Sequence, residues 1–201
     1  MPIKCVFFDF DGVLRNWDPG IYDIEDKFGI PVEAVREAAF AKANLDPAIR
    51  GEITDPQWRA NVAQILSKRY PNHNAIGAVN HWNSFTGEID PEVLALVEEC
   101  KTVTKVALFT NATSKLNQDL EALGISNSFD YVVNASEAGF FKPEPEVYTY
   151  ALKLAGIDPS EAFFTDDKDV HLRPALKLGW AGHLFDNAAG LRTALTDAGV
   201  L

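Results

Sequence analysis

The sequence predicts an α/β fold: a Rossmann-like parallel sheet with a helical subdomain inserted after the first strand. Three observations carry this. Short apolar runs rich in Val and Phe, of the kind buried on both faces of a parallel sheet, recur along the chain. Helical patterns with capping signals lie between the later runs, as right-handed crossovers require. A stretch of roughly seventy residues from Trp17 to Ile89 shows helical patterns and no convincing strand, too long for one crossover.

The first strand is read at Ile3–Phe8. Helical segments follow at Tyr22–Phe28, Val32–Ala43, Pro56–Tyr70 and Asn74–Ser84. Turn signals separate them at Gly29-Ile30-Pro31, Asp46-Pro47, Arg50-Gly51-Glu52 and Tyr70-Pro71-Asn72. Asp90 before Pro91 opens a helix over Pro91–Lys101, an N-cap followed by proline at the first helical position. Strands at Val103–Thr110, Tyr131–Val133 and Ala162–Thr165, with a weaker one at Ala181–Phe185, then alternate with helices. Those helices span Ser114–Leu123, Glu144–Leu154 and Lys168–Leu178, and Gly124, Gly156 and Gly179 mark their ends. The expected division is a catalytic core of residues 1–16 and 90–201 with a helical subdomain over 17–89 covering one end of the sheet.

Composition narrows the function. The 201 residues are 47% hydrophobic and 23% charged, enough apolar material for a core without staples, so global disorder is excluded. Eighteen Lys and Arg against 29 Asp and Glu give a net charge of −11, which repels nucleic-acid backbones and anionic lipid. It does not repel a small anion arriving with a divalent cation. The two cysteines, Cys5 and Cys100, offer no disulfide framework and read as small buried hydrophobes of a reducing compartment. Asp9 and Asp11 interrupt the apolar start before it reaches signal-peptide length, and no run approaches the ~20 apolar residues of a membrane span. A cytoplasmic location is expected.

Chemistry-bearing residues gather where strands end, the edge at which open α/β sheets bind ligands. The first strand runs into Asp9-Phe10-Asp11-Gly12. If extension continues, two acids at i, i+2 share one side, and like charges so close call for a cation or a shared proton. One carboxylate of such a pair can attack an electrophile while the other moves protons. The second strand ends in Thr110-Asn111, a hydroxyl and an amide able to donate to a phosphoryl oxygen; the same dipeptide is also an ordinary helix entry. Lys142 stands in Gly139-Phe140-Phe141-Lys142-Pro143-Glu144-Pro145, where prolines stiffen the segment and fix the ammonium. The strand Phe163-Phe164-Thr165 runs into Asp166-Asp167-Lys168-Asp169, oxygen ligands suited to Mg²⁺ and without the glycine and terminal glutamate of a calcium loop.

In order and placement, Asp9-Phe10-Asp11-Gly12, Thr110-Asn111, Lys142-Pro143 and Asp166-Asp167 resemble the motifs of the haloacid dehalogenase superfamily over nearly the whole chain. Arg50-Gly51-Glu52-Ile53-Thr54 and Phe140-Phe141-Lys142-Pro143-Glu144 are similar to the branch with small helical caps, which holds sugar-phosphate phosphatases and 2-haloacid dehalogenases. The resemblance implies Asp9 as a nucleophile forming an aspartyl-phosphate, and Asp11 as the acid for the leaving alkoxide and then the base for water. It implies Thr110 and the Asn111 amide as phosphoryl donors, and Lys142 as the neutralising cation. It implies Mg²⁺ held by Asp9, the Asp11 carbonyl and the Asp166-Asp167 pair, with Asp167 favoured as the direct ligand. Lys168 and His171 stand where relatives often carry a small polar residue and an asparagine, which raises the question of whether Asp169 takes over as a ligand.

The implied activity is hydrolysis of a small phosphorylated metabolite, a sugar phosphate first, with no nucleic-acid or membrane partner. A phosphomutase shares every catalytic residue. Dehalogenation is demoted by Asp11, which carbon–halogen cleavage does not need, and a non-catalytic regulatory protein is disfavoured by the intact Asp9, Asp11, Lys142 and Asp167. Arg15, Asn16 and Trp17 follow the first motif and suit either substrate contact or hinge packing. Arg50 and Glu52 sit on a turn, Trp58 and Trp82 are expected to pack the helical core, and a place at the pocket's border is the lesser alternative for Trp82. His73, His81, His171 and His183 show no zinc spacing.

Overall fold

The computed structural model describes residues 2–17 and 23–201. Strand β1 (Cys5–Phe8) is followed by the short β2 (Arg15–Asn16) and five helices: α1 (Ile24–Phe28), α2 (Val32–Phe40), α3 (Lys42–Ile49), α4 (Asp55–Arg69) and α5 (Ala75–Asn83). Strand β3 (Glu88–Ile89) returns the chain beside β2, antiparallel, with Arg15 opposite Ile89. Then come α6 (Pro91–Lys101), β4 (Lys105–Thr110), α7 (Leu116–Ala122), β5 (Tyr131–Asn134), α8 (Ala135–Ala138) and α9 (Pro145–Ala155). The chain ends with β6 (Ala162–Asp166), α10 (Asp169–Lys177), β7 (Ala181–Leu184) and α11 (Ala188–Asp197). Strands β1, β4, β5, β6 and β7 form one parallel sheet in the order β5-β4-β1-β6-β7, so β1 is central. The α/β architecture expected from the sequence is present.

Alternation along the strands divides the core. Val6, Phe8, Val106, Leu108 and Phe163 pack with Val93 and Val97 of α6, Leu120 of α7 and Leu191 of α11. Cys5, Phe7, Ala107, Phe109 and Phe164 face Val147, Tyr148 and Ala151 of α9 and Leu172 of α10. Both cysteines are buried and free, and burial pushes each thiol up to about 12, which keeps them unreactive. The insertion's helices have a cluster of their own, including Val35, Trp58, Val62, Leu66 and Val79. Among the described residues no helix is long and apolar enough to cross a membrane.

The structure corrects several local readings. The Asp46-Pro47 turn signal lies inside α3, where Pro47 removes one amide donor from an eight-residue helix that Ala48, Ile49 and Asn44 bury. The break falls instead at Ala41, with extended backbone at φ −55 and ψ 126, so the helix expected over Val32–Ala43 stops at Phe40. The insertion expected to lack strands contains β3, whose two residues are too few to show a period. Helix α11 escaped the apolar pattern because Leu191 and Leu195 are its only fully buried residues. The expected start of the first inserted helix at Tyr22 lies outside the described residues.

Leu66 is fully buried in the insertion's cluster, whereas Ile76 on α5 is 64% exposed. Leu66→Ala is therefore expected to destabilise the protein by about 2–5 kcal/mol in urea unfolding, and Ile76→Ala by under about 0.5 kcal/mol. Equal losses would show that the insertion does not fold around this cluster.

Candidate active site

The parallel register sets strand ends side by side. Phe8 stands beside Leu108 and Thr165, and the Asp9 amide donates to the Thr165 carbonyl at 3.0 Å. The residue after β1 therefore meets the last residues of β4 and β6. Lys142 enters from the segment between α8 and α9, with a cis peptide to Pro143. The Asn111 side chain holds that segment from both sides: its Oδ1 accepts from the Lys142 amide and its Nδ2 donates to the Lys142 carbonyl, each at 2.8 Å.

The Lys142 ammonium, 1% exposed, donates to Asp166 Oδ2 at 2.7 Å, Asp9 Oδ1 at 2.8 Å and the Phe109 carbonyl at 2.9 Å. Three donors meet three acceptors, so nothing on the buried nitrogen is unpaired. The rings of Phe109 and Phe164 lie 5.0 and 5.2 Å from the nitrogen. In this apolar cage burial pushes the Asp9 carboxyl up from 3.8 to about 7; Lys142 opposes the rise and Asp166 adds to it. Burial works to raise Asp166 as well, but His171 and Lys142 outweigh it and hold that carboxyl well below the usual range. Burial alone would lower the lysine, yet Asp9 and Asp166 hold it above its ordinary value. The two acids also differ in their supply of hydrogen-bond donors. Asp166 also accepts from the Lys168 amide at 2.8 Å and lies 3.2 Å from His171 Nδ1. Asp9 has only Phe10 N and Lys142, both on Oδ1, and its Oδ2 accepts no hydrogen bond from the described residues.

Strand β1 ends at Phe8, the ladder keeps one more bond at the Asp9 amide, and a turn begins at Phe10. The chain turns tightly, with the amides of Leu14 and Arg15 donating to the Phe10 carbonyl, and Gly12 takes a positive φ of 89°. The two carboxylates expected on one side consequently acquire separate partners. Asp11, its side chain 41% exposed, accepts Arg15 Nε at 2.7 Å, Arg15 Nη2 at 3.1 Å and Trp17 Nε1 at 2.8 Å. Arg15, 5% exposed, bridges on to Asp119 Oδ2 at 3.0 Å, and Lys115 pairs with the same Asp119. The sequence contained one clue to this chain of charges, the i, i+4 spacings of Asp11 with Arg15 and Lys115 with Asp119. Nothing local links the two pairs.

Hard oxygen donors for a divalent cation lie around Asp9. Asp9 Oδ2 is uncommitted, and the Asp167 carboxylate stands against Gly12, where a Cβ would come within 2.5 Å of Oδ2. Ligand atoms of Asp9, Asp166 and His171 fall within 4.8 Å of one another, but the Asp166 oxygens are occupied by Lys142, Lys168 and His171. The exposed Asp167 is the freer oxygen source, and the donor set fits Mg²⁺. Asp169 pairs with Arg173 on its own helix and stays away from the cluster. Sequence spacing gave no hint that His171 would join Asp166.

Thr110, 2% exposed, ends β4 beside this cluster. Asn111 spends both side-chain polar atoms on the Lys142 backbone, which leaves its main-chain amide rather than its carboxamide for a ligand. A cavity of about 360 Å³ opens between the helices of the insertion and the sheet edge. Asp11, Arg15, Asn111 and Thr113 line its sheet side, and Trp58 and Trp82, which pack in the helical cluster as expected, also line its helical side. Asp9, Lys142 and Asp166 are not part of its wall. Two sets of side-chain contacts tie helices of the insertion to the core. Asp55 accepts from the Thr113 hydroxyl at 2.9 Å and its amide donates to Ser114 Oγ at 2.9 Å. Arg50 pairs with Glu144, and its guanidinium lies 4.6 Å from the Phe141 ring.

Comparison with known proteins gives the geometry a context. The family described as haloacid dehalogenase-like hydrolase matches residues 3–179. Glyceraldehyde 3-phosphate phosphatase of Methanocaldococcus jannaschii is 29% identical over 88% of this chain and 82% of its own length. Bifunctional epoxide hydrolase 2 of Rattus norvegicus is 25% identical over 96% of this chain, which spans only 38% of that longer protein. A HAD-like hydrolase structure from Porphyromonas gingivalis shares the fold at a TM-score of 0.76 and 21% identity, covering 98% of both chains. A magnesium complex of a HAD family enzyme from Bacteroides thetaiotaomicron matches at a TM-score of 0.74 and 24% identity, covering 92% of this chain and 94% of its own.

The raised Asp9 carboxyl has a thermodynamic signature. Its contribution to stability is complete below the unfolded value of 3.8 and is lost as pH climbs through about 7, because the folded cage disfavours the second ionised carboxylate. Asp9→Asn keeps the position neutral at every pH. In EDTA, the melting-temperature advantage of Asp9→Asn over the unmodified protein should therefore widen by a few degrees between about pH 5 and about pH 8. A gap that stays constant would mean that Asp9 is ionised throughout.

Proposed function

The chain belongs to the haloacid dehalogenase-like hydrolases, and from that premise we propose that it is a Mg²⁺-dependent phosphomonoester hydrolase acting on a small phosphorylated metabolite. The observation that carries the reading is the division of the two acids. Asp9 is buried against a fixed ammonium with one oxygen uncommitted, whereas Asp11 is turned into the cavity on Arg15 and Trp17. Asp9 is placed as a nucleophile and Asp11 as a group that exchanges protons with whatever fills the cavity.

In the first half-reaction an Asp9 oxygen attacks phosphorus, the ester P–O bond breaks, and protonated Asp11 gives its proton to the leaving oxygen. In the second, Asp11 takes a proton from water, the water oxygen attacks phosphorus, and the bond to Asp9 breaks to release phosphate and restore the carboxylate. Thr110 and the Asn111 main-chain amide are the proposed donors to the phosphoryl oxygens. Lys142, with all three donors committed, acts by holding and neutralising Asp9. Asp9, the Asp11 carbonyl and Asp167, with Asp166 directly or through water, would hold Mg²⁺. When bound, the cation would offset the charge between a carboxylate and a phosphate dianion. Residues 17–89 are read as a cap over this site, and Asp11 as the reason for preferring phosphoryl transfer to carbon–halogen cleavage.

Phosphate release from a panel of aryl, sugar and nucleoside monophosphates tests the proposal. Release should require Mg²⁺, stop in EDTA and vanish in Asp9→Asn. Asp11→Asn should lower kcat by about 10²–10⁴-fold. Silence across the panel, or release that survives Asp9→Asn, would refute the mechanism.

A further inference from the structure

Resting on the phosphatase reading, we infer that the leaving group of the substrate is an apolar ring, an aryl or comparably flat hydrocarbon alcohol, rather than a polyhydroxylated sugar. The sequence by itself favours a sugar phosphate; the chemistry of the cavity wall does not. Five aromatic side chains line the space next to Asp11: Trp17, Phe40, Trp58, Trp82 and Phe85. Phe40 meets Trp82 edge to face at 6.1 Å and Trp82 meets Trp58 at 5.7 Å, a ladder of rings across the helical side. Phe40 is 54% exposed and Trp17 39%, large apolar surfaces left in water within the wall of a cavity.

The polar side chains of that wall are already engaged. Asp11, Arg15, Asp119 and Lys115 form one continuous chain of ion pairs. Asp55 is satisfied by Arg59 at 2.6 Å and by the Thr113 hydroxyl, and Asn111 by the Lys142 backbone. Among the described residues, Arg36 and Asn83 are the wall's polar side chains left without a side-chain partner. A sugar would bury a ring of hydroxyls with few groups to receive them, and each unmet hydroxyl opposes binding. A flat apolar ring would instead cover the exposed faces of Phe40 and Trp17 and stack on rings already in place. The ester oxygen of such a compound would lie towards Asp11, the acid proposed to protonate it. The volume of about 360 Å³ suits one small ring system rather than an extended chain.

The test uses Asp9→Asn protein with Mg²⁺, in which esters are not turned over, and calorimetric titration with 1-naphthyl phosphate, glucose 6-phosphate and inorganic phosphate. Naphthyl phosphate is expected to bind at least about tenfold more tightly than inorganic phosphate, while glucose 6-phosphate gains little. Adding Phe40→Ala should erase the naphthyl advantage without altering inorganic phosphate binding, and Phe40→Tyr should retain it. The inference is overturned if glucose 6-phosphate binds as well as the naphthyl ester, if the naphthyl ester gains nothing over phosphate, or if Phe40→Ala has no effect. The two readings fail separately. An aryl preference in binding with no phosphate release from unmodified protein would remove the hydrolase and leave the cavity assignment standing. Asp9-dependent release with sugar esters preferred would do the reverse.

Discussion

One buried ammonium makes the carboxyl edge of the sheet possible. Asp9 and Asp166 end adjacent strands, and without a cation between them two ionised carboxylates could not share an apolar cage. Lys142 resolves this only if its nitrogen is held to the place where both oxygens and the Phe109 carbonyl converge. Three features of the chain hold it there. The register of β1 with β4 and β6 brings the acceptors together, Asn111 grips the lysine segment by its backbone, and Phe109 and Phe164 exclude water from the charge. Apolar residues in the middle of the sheet thus decide how strongly a polar cluster at its end interacts.

The tight turn after β1 sets the second constraint. By diverting the backbone at Phe10 and Gly12, it gives Asp11 a partner in Arg15, while Asp9 stays on Lys142. Two acids two residues apart consequently live in different media: one is dry and short of donors, the other half-exposed and held by a guanidinium and an indole. Chemistry that needs an attacking carboxylate and a proton carrier at once requires such a difference. Arg15 extends the arrangement, since its own partner Asp119 is on α7 and both line the cavity.

The strand ends and their acids were legible because the signal is local: a short apolar run followed by carboxylates reads directly as a buried parallel strand opening onto a ligand edge. That covers Asp9, Asp11, Thr110, Asp166 and Asp167, and the prolines around Lys142 marked its segment as fixed. Side-chain direction was not legible. The expectation that Asp9 and Asp11 share a side assumed continued extension, and the turn at Phe10 interrupts it. The bond from Arg15 to Asp119 joins positions 104 apart in sequence and that from Thr113 to Asp55 positions 58 apart, and neither separation leaves a periodic trace. Pro47 misled for the converse reason. Its local preference for a turn is real, but packing of Ala48 and Ile49 outweighs it in a helix that loses only one donor there.

The fastening of the helical layer joins these parts mechanically. Glu144 pairs with Arg50 from the insertion and also accepts from the Phe141 amide at 3.2 Å, one residue before Lys142. Gly51 packs so closely that a Cβ would come within 2.0 Å of the Ser136 carbonyl, so no side chain holds the two layers apart at that point. On the opposite side Asp55 is tied to Thr113 and Ser114, just beyond Asn111. The helices thus contact both segments that flank the candidate site, the Phe141–Lys142 stretch and the loop after β4. Under the proposed function, a ligand that fills the aromatic cavity would touch the same helices, and its contacts would add to those that hold these segments. On the proposed reading, recognition of the leaving group and alignment of Asp9 would follow from a single docking.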